Sequence, residues 1–209
     1  MMPEVVGGRA ALADALFRIG AIRFGEFTLA SGRSSSYYVD LRVVPSDPQT
    51  YELAVAAYRT LAEDVGERDF DVVAGVATAG VTLSSPLAYI LKKPMVYVRR
   101  EEKGHGLGKL VEGAVRPRWR ALVVDDLATT GGSMLSAVEA LRGAGCVVTD
   151  AVVLVDRLEG GKTRLAASGV KLRAFADVKD LVKILYDQKK VTKGDYEKVL
   201  KQMGQDLER

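Results

Sequence analysis

Short apolar runs alternate with helical stretches along most of this 209-residue chain, and that alternation limits its fold more than any other feature. The runs are 72–76, 95–98, 121–124 and 147–155. Their largely apolar character predicts strands buried on both faces, as parallel strands are. Helices are expected at about 48–65, 80–91, 132–143 and 159–168, the first opened by Asp47 and Pro48. Such alternation gives an α/β fold, a central parallel sheet flanked by helices. Ahead of it, Leu12, Leu16, Phe17 and Ile19 mark a helix over 9–20. Strands at 24–29 and 36–41 then flank a Ser31-Gly32-Arg33 turn. Two helices are expected at about 177–187 and 193–203, with Thr192 and Asp195 as a capping pair for the second. The expectation is one domain over 1–209: a small N-terminal hood at about 20–42, a core at about 48–175, and the C-terminal helices.

Composition removes several classes of function. Hydrophobic residues make up 48% and charged residues 27%, ordinary for a globular protein in water. No apolar run is long enough to span a membrane. The first residues lack the order of a secretion signal. The one cysteine, Cys146, has no internal partner and no metal-ligand spacing. A cytoplasmic location is therefore expected, with no membrane partner. The net charge of +3 is too small to argue for nucleic acid. Its distribution is more informative: seven Lys/Arg face three Glu between Arg99 and Arg120, in a glycine-rich stretch. That is either a solvated basic loop or a loop that closes on an anion. The chain has no asparagine and only four glutamines, a depletion that points to a heat-loving source.

The most specific segment is Ala121-Leu122-Val123-Val124-Asp125-Asp126-Leu127-Ala128-Thr129-Thr130-Gly131-Gly132-Ser133. It runs from a buried strand through a tight loop into a helix. Gly131 and Gly132 let backbone N–H groups approach an anion closely. The helix N-terminus adds partial positive charge, and Thr129, Thr130 and Ser133 add hydroxyl donors. There is no Walker lysine, so this is not a nucleoside triphosphate loop. Asp125 and Asp126 would repel a phosphate but accept well from vicinal ribose hydroxyls. The string therefore fits a sugar 5-phosphate. An acidic turn capping a helix is the plain alternative for Asp-Asp alone.

This string resembles the fingerprint of type I phosphoribosyltransferases, which does not by itself select the base. Two further segments resemble orotate phosphoribosyltransferases. One runs from Arg23 through Ser31-Gly32-Arg33 to Tyr37-Tyr38-Val39-Asp40-Leu41-Arg42 and resembles the hood over the base, with Tyr38 beside orotate. The other, Val98 to Gly108, resembles the catalytic loop, whose positions matching Arg99, Arg100, Lys103 and His105 meet pyrophosphate. Thr129 and Arg157 match positions that contact orotate. For Arg157 the resemblance implies the orotate carboxylate, and the alternative is an ion pair with Glu159. The chain departs from many members at Ala30 and Ala79, where they carry lysine. The 75–80 glycine loop is left to hold pyrophosphate through backbone amides.

The resemblance implies transfer of the phosphoribosyl group from phosphoribosyl pyrophosphate to orotate, giving orotidine 5'-monophosphate and pyrophosphate in pyrimidine biosynthesis. Lys103, His105 and Asp126 are the implied catalytic residues. Substrate binding falls to Tyr38, Arg99, Arg100, Asp125, Leu127, Ala128, Thr129 to Ser133 and Arg157. Magnesium (Mg2+) is implied as cofactor, held through pyrophosphate and ribose oxygens with no direct protein ligand. A homodimer with shared active sites is implied. The alternatives are a purine phosphoribosyltransferase, against which the hood and Arg157 argue, and a non-catalytic sensor of phosphoribosyl pyrophosphate. At 209 residues, no fused decarboxylase barrel is expected.

Overall fold

The computed structural model of the chain describes residues 8–28, 32, 34–99 and 110–207. Helix α1 (Gly8–Arg18) leads into strands β1 (Ile22–Thr28) and β2 (Ser34–Val39), a two-stranded antiparallel hood. The pairing skips between Phe24 and Phe27, a bulge carried by Gly25 at φ 143°. The second hood strand ends at Val39, before the expected 41. Asp40 stops it by accepting from the Arg42 N–H, which caps a 3-10 helix over Leu41–Ser46. Helix α2 (Pro48–Val65) starts as expected: the Asp47 carboxylate accepts from the Thr50 N–H, and Pro48 takes the first position, where no N–H is needed.

The main sheet has six strands in the order β5-β4-β3-β6-β7-β8. These are β3 (Val72–Val76), β4 (Met95–Val98), β5 (Val111–Glu112), β6 (Arg120–Ala128), β7 (Val147–Asp156) and β8 (Lys171–Asp177). All adjacent pairs are parallel except β4 with β5. Helices α3 (Ala79–Leu91), α4 (Gly132–Gly143) and α5 (Gly161–Ala167) connect the strands, and α6 (Val178–Asp187) and α7 (Lys193–Leu207) follow. The Thr192 hydroxyl accepts from the Asp195 N–H at 3.1 Å, as the capping pair predicts.

Side chains alternate across each strand and so feed two cores. Leu122 and Val124 of β6 pack with Leu12, Leu16, Tyr58, Leu83 and Leu181, on the face covered by α1, α2, α3 and α6. Ala121 and Val123 pack with Met134, Val138, Leu141 and Leu165, on the face covered by α4 and α5.

Strands β8 and β6 also differ from expectation. Strand β8 was not foreseen, because Lys171, Arg173 and Asp177 break its apolar run; it lies at the sheet edge, where charged side chains are tolerated. Strand β6 continues past 124 to Ala128. Its pairing with β3 stops at Gly75↔Val124, while pairing with β7 continues from Asp125↔Val153 to Ala128↔Asp156. The two acids therefore sit on a strand extension hydrogen-bonded on one side only. No helix among the described residues is long and apolar enough to cross a membrane.

Candidate active site

The chain order fixes where a site can form. After β3 the chain builds β4 and β5 on one side, then returns to place β6 on the other. In such sheets the crevice beyond the carboxyl ends of the two central strands is open to a ligand. A cavity of about 370 Å³ lies there, between the β3–α3 loop, the end of β6 and the residues that follow β2. Asp125, Asp126, Leu127, Thr129 and Ser133 line it together, so the structure joins the acids to the hydroxyls of the phosphate loop.

Several contacts hold the acids in place. The buried Tyr58 hydroxyl, on α2, donates to the Asp125 carbonyl at 2.6 Å. Asp125 Oδ1 accepts from the Asp126 N–H at 3.0 Å. Gly80 brings the start of α3 against β6: a Cβ there would lie 2.6 Å from the Val124 carbonyl and 3.0 Å from Asp125 Oδ1. Burial pushes the Asp126 carboxyl above the usual carboxylate range, and the negative charge of Asp40 adds to that.

The phosphate loop is pinned from the opposite side. Gly131 is left-handed at φ 75° and heads α4, with no side chain capping the first turn. The N–H groups of that turn are left for an anion. The Arg157 N–H donates to the Ala128 carbonyl at 2.9 Å, and the Gly161 N–H donates to the Thr129 carbonyl at 2.9 Å. Gly131 and Gly161 stand back to back, and a Cβ on Gly161 would fall 2.6 Å from the Thr129 carbonyl oxygen. Across the cavity, the peptide between Ala77 and Thr78 is cis, and α3 likewise has no side-chain cap.

Other expected residues lie away from this cluster. Tyr38 is half-buried in the hood, between the Phe27 ring at 5.6 Å and the Arg23 guanidinium at 5.0 Å. Arg99 pairs with Glu112 at 3.3 Å, and its N–H donates to the Leu110 carbonyl. Arg100, Lys103 and His105 lie outside the described residues, as does Ala30. Arg157 is 8% exposed and does not line the cavity. Its guanidinium stands 5.0 Å from the Tyr37 ring centre and 2.8 Å from Glu159, so the ion pair weighed from sequence is made. That contact is short but not aligned as a hydrogen bond. Neither Nε nor Nη2 makes a hydrogen bond among the described residues, although Nη2 faces the Glu159 carboxylate.

Sequence reasoning assigned no role to Asp40 and Arg42, which line the cavity. The Asp40 carboxylate accepts from Arg42 Nε at 2.7 Å and Nη2 at 2.8 Å. Those hydrogen bonds hold Asp40 below the usual range and raise Arg42. Their i, i+2 spacing after an aromatic strand was the available signal. Tyr58 gave none, since a helix tyrosine reads as core. Gly160-Gly161, a second glycine pair following Arg157, was legible but was not linked to the loop.

Comparison with known proteins agrees with this geometry. Residues 50–179 match the phosphoribosyl transferase domain family. The chain is 45% identical over 168 residues to the orotate phosphoribosyltransferase of Cenarchaeum symbiosum, covering 80% of this chain and 84% of that one. The crystal structure of the Aeropyrum pernix orotate phosphoribosyltransferase is 39% identical, with TM-score 0.74 over 84% of this chain and 99% of that one. The structure of Leishmania donovani UMP synthase matches at TM-score 0.85 and 33% identity; it covers 95% of this chain, which spans 43% of that longer one. On sequence, fold and site geometry together, this chain belongs to the orotate phosphoribosyltransferase family.

Proposed function

We propose that this protein transfers the 5-phosphoribosyl group from phosphoribosyl pyrophosphate to orotate, releasing pyrophosphate and forming orotidine 5'-monophosphate. One observation carries the reading: Asp125, Asp126, Thr129 and Ser133 meet in a single cavity at the switch point of the sheet. Hydroxyls and the start of α4 suit a phosphate, while the carboxylates suit ribose hydroxyls. As the bond from the anomeric carbon to pyrophosphate breaks, the ring gains positive charge, and Asp125 and Asp126 stabilise it. The orotate nitrogen attacks the opposite face, and no covalent enzyme intermediate is required. Lys103, Arg99, Arg100 and His105 stabilise the leaving pyrophosphate, with Lys103 or His105 donating a proton.

Arg157 is assigned to the orotate carboxylate. Its support is a buried guanidinium with unsatisfied donors, which a planar carboxylate would fill. Magnesium fits the donor chemistry as an ion carried with the substrate. The acids offer hard oxygens, the donor type that magnesium takes. When bound, it neutralises pyrophosphate charge. A homodimer with shared sites and a cytoplasmic location complete the reading. The almost fully exposed Tyr89 of α3, at 86%, is the kind of side chain a subunit contact covers.

The test is loss of orotate absorbance on mixing the protein with phosphoribosyl pyrophosphate and magnesium, suppressed by chelation and by Lys103→Ala. Turnover of adenine or hypoxanthine instead would keep the phosphate argument and discard the base. Shared sites predict that mixing inactive Lys103→Ala and Asp126→Asn proteins restores activity; a fully active monomer would overturn them.

A further inference from the structure

The 129–133 loop contains no cation of its own, yet the 5-phosphate proposed for it is a dianion. Three hydroxyls and a helix N-terminus supply dipoles but no compensating charge. The fold brings one in from a neighbouring helix. Beside Gly132 there is open space: a Cβ placed there would have only two near neighbours, Arg164 Nη1 at 3.8 Å and Thr130 Oγ1 at 3.9 Å. A guanidinium and a hydroxyl of the loop thus converge on one point at the first turn of α4.

The position of Arg164 is fixed by the backbone beneath it. Its N–H donates to the Gly160 carbonyl at 3.0 Å, in the first turn of α5. That turn is locked to the loop by the Gly131–Gly161 approach and by the Gly161 N–H on the Thr129 carbonyl. The side chain is exposed, and no carboxylate pairs with it among the described residues. Arg18, Arg42, Arg99, Arg120 and Arg173 each have such a partner, so Arg164 differs from them, though not from every surface arginine. An unpaired guanidinium beside that loop is suited to a phosphate oxygen, which its planar donors match.

We infer that Arg164 is a further substrate-binding residue, a cationic contact to the ribose 5-phosphate. This rests on the phosphoribosyl-transfer reading above. It carries its own signature, because the 5-phosphate is present on phosphoribosyl pyrophosphate and on orotidine 5'-monophosphate, but absent from orotate and from pyrophosphate.

Arg164→Gln and Arg164→Lys are assayed in both directions. In the glutamine variant, KM should rise about tenfold for the two 5-phosphate substrates, the worth of one charged hydrogen bond. KM for orotate and pyrophosphate, kcat and Tm should stay near wild type, and lysine should recover part of the loss. The rise should shrink at high salt, since the contact is solvent-exposed. Unchanged KM for the two phosphorylated substrates would overturn the inference. So would an equal rise for all four, which would mark a general structural role. Calorimetry with ribose 5-phosphate separates the two levels of reading. If the wild type turns over no orotate but its affinity for ribose 5-phosphate still falls in Arg164→Gln, the base assignment fails and the Arg164 contact stands.

Discussion

Gly161→Ala changes one methyl group, and the geometry at that point allows its cost to be worked out. The new Cβ would lie 2.6 Å from the Thr129 carbonyl oxygen, 3.1 Å from the Gly131 nitrogen and 3.4 Å from the Gly131 Cα. All three are backbone atoms, so no side chain can swing aside. Relief requires α5 to move from the phosphate loop, which stretches the 2.9 Å hydrogen bond from Gly161 to Thr129. Such overpacking costs about 3 kcal/mol at the upper end of its usual range. Helix propensity returns about 1 kcal/mol, because alanine is preferred in α5. The net loss is about 2 kcal/mol, and for a chain of this size Tm should fall by about 4–8 °C. The kinetic effect should be selective. Displacing the loop should raise KM for phosphoribosyl pyrophosphate and orotidine 5'-monophosphate more than for orotate. Differential scanning fluorimetry and initial rates at varied substrate give both numbers. A variant with wild-type Tm and wild-type KM for both phosphorylated substrates would refute the argument that the loop is held by this glycine pair.

Three other perturbations follow from the same contacts. Tyr58→Phe removes the hydroxyl on the Asp125 carbonyl and should cost about 1–2 kcal/mol in urea unfolding, since a buried acceptor loses its donor; unchanged stability would show that the bond contributes nothing. Asp126→Asn should abolish most activity while leaving stability at pH 7 at or above wild type. The folded state holds the Asp126 proton more tightly than the unfolded chain, so its contribution is present at low pH and is lost as pH rises from 3.8 through the raised folded value. A variant clearly less stable than wild type at pH 7 would contradict that sign. Asp71 runs the other way: its hydrogen bonds with Arg120 lower its carboxyl to about 2. Its contribution should be full above pH 3.8 and vanish as pH falls through 2, in acid-unfolding curves that Asp71→Asn flattens. Both side chains are over a third exposed, so the effect should stay under about 1 kcal/mol.

Much of the fold was legible because buried parallel strands have a plain signature. Residues 72–76 and 95–98 are strands at the limits read from sequence, and α2 starts at the proline that marks it. What escaped depends on partners distant in sequence. The extension of β6 through Asp125 to Ala128 exists because β7 continues beside it, and nothing in the acids themselves predicts a strand. Strand β8 was hidden by charges that only an edge position permits. At the site, the string from Asp125 to Ser133 announced itself, since its chemistry lies within nine consecutive residues. Tyr58, Gly80 and Gly161 act on that string from other helices, and no local pattern links them to it. Arg157 shows the limit from another direction: the sequence offers pairing with Glu159 only as the alternative to orotate, and gives no sign of its burial against Tyr37.

The most direct test is a crystal structure of the protein with orotidine 5'-monophosphate bound. The 5-phosphate should lie on the amides and hydroxyls of 129–133, the ribose hydroxyls on Asp125 and Asp126, and the pyrimidine toward the hood. A nucleotide bound elsewhere, or with its phosphate away from that loop, would contradict that placement.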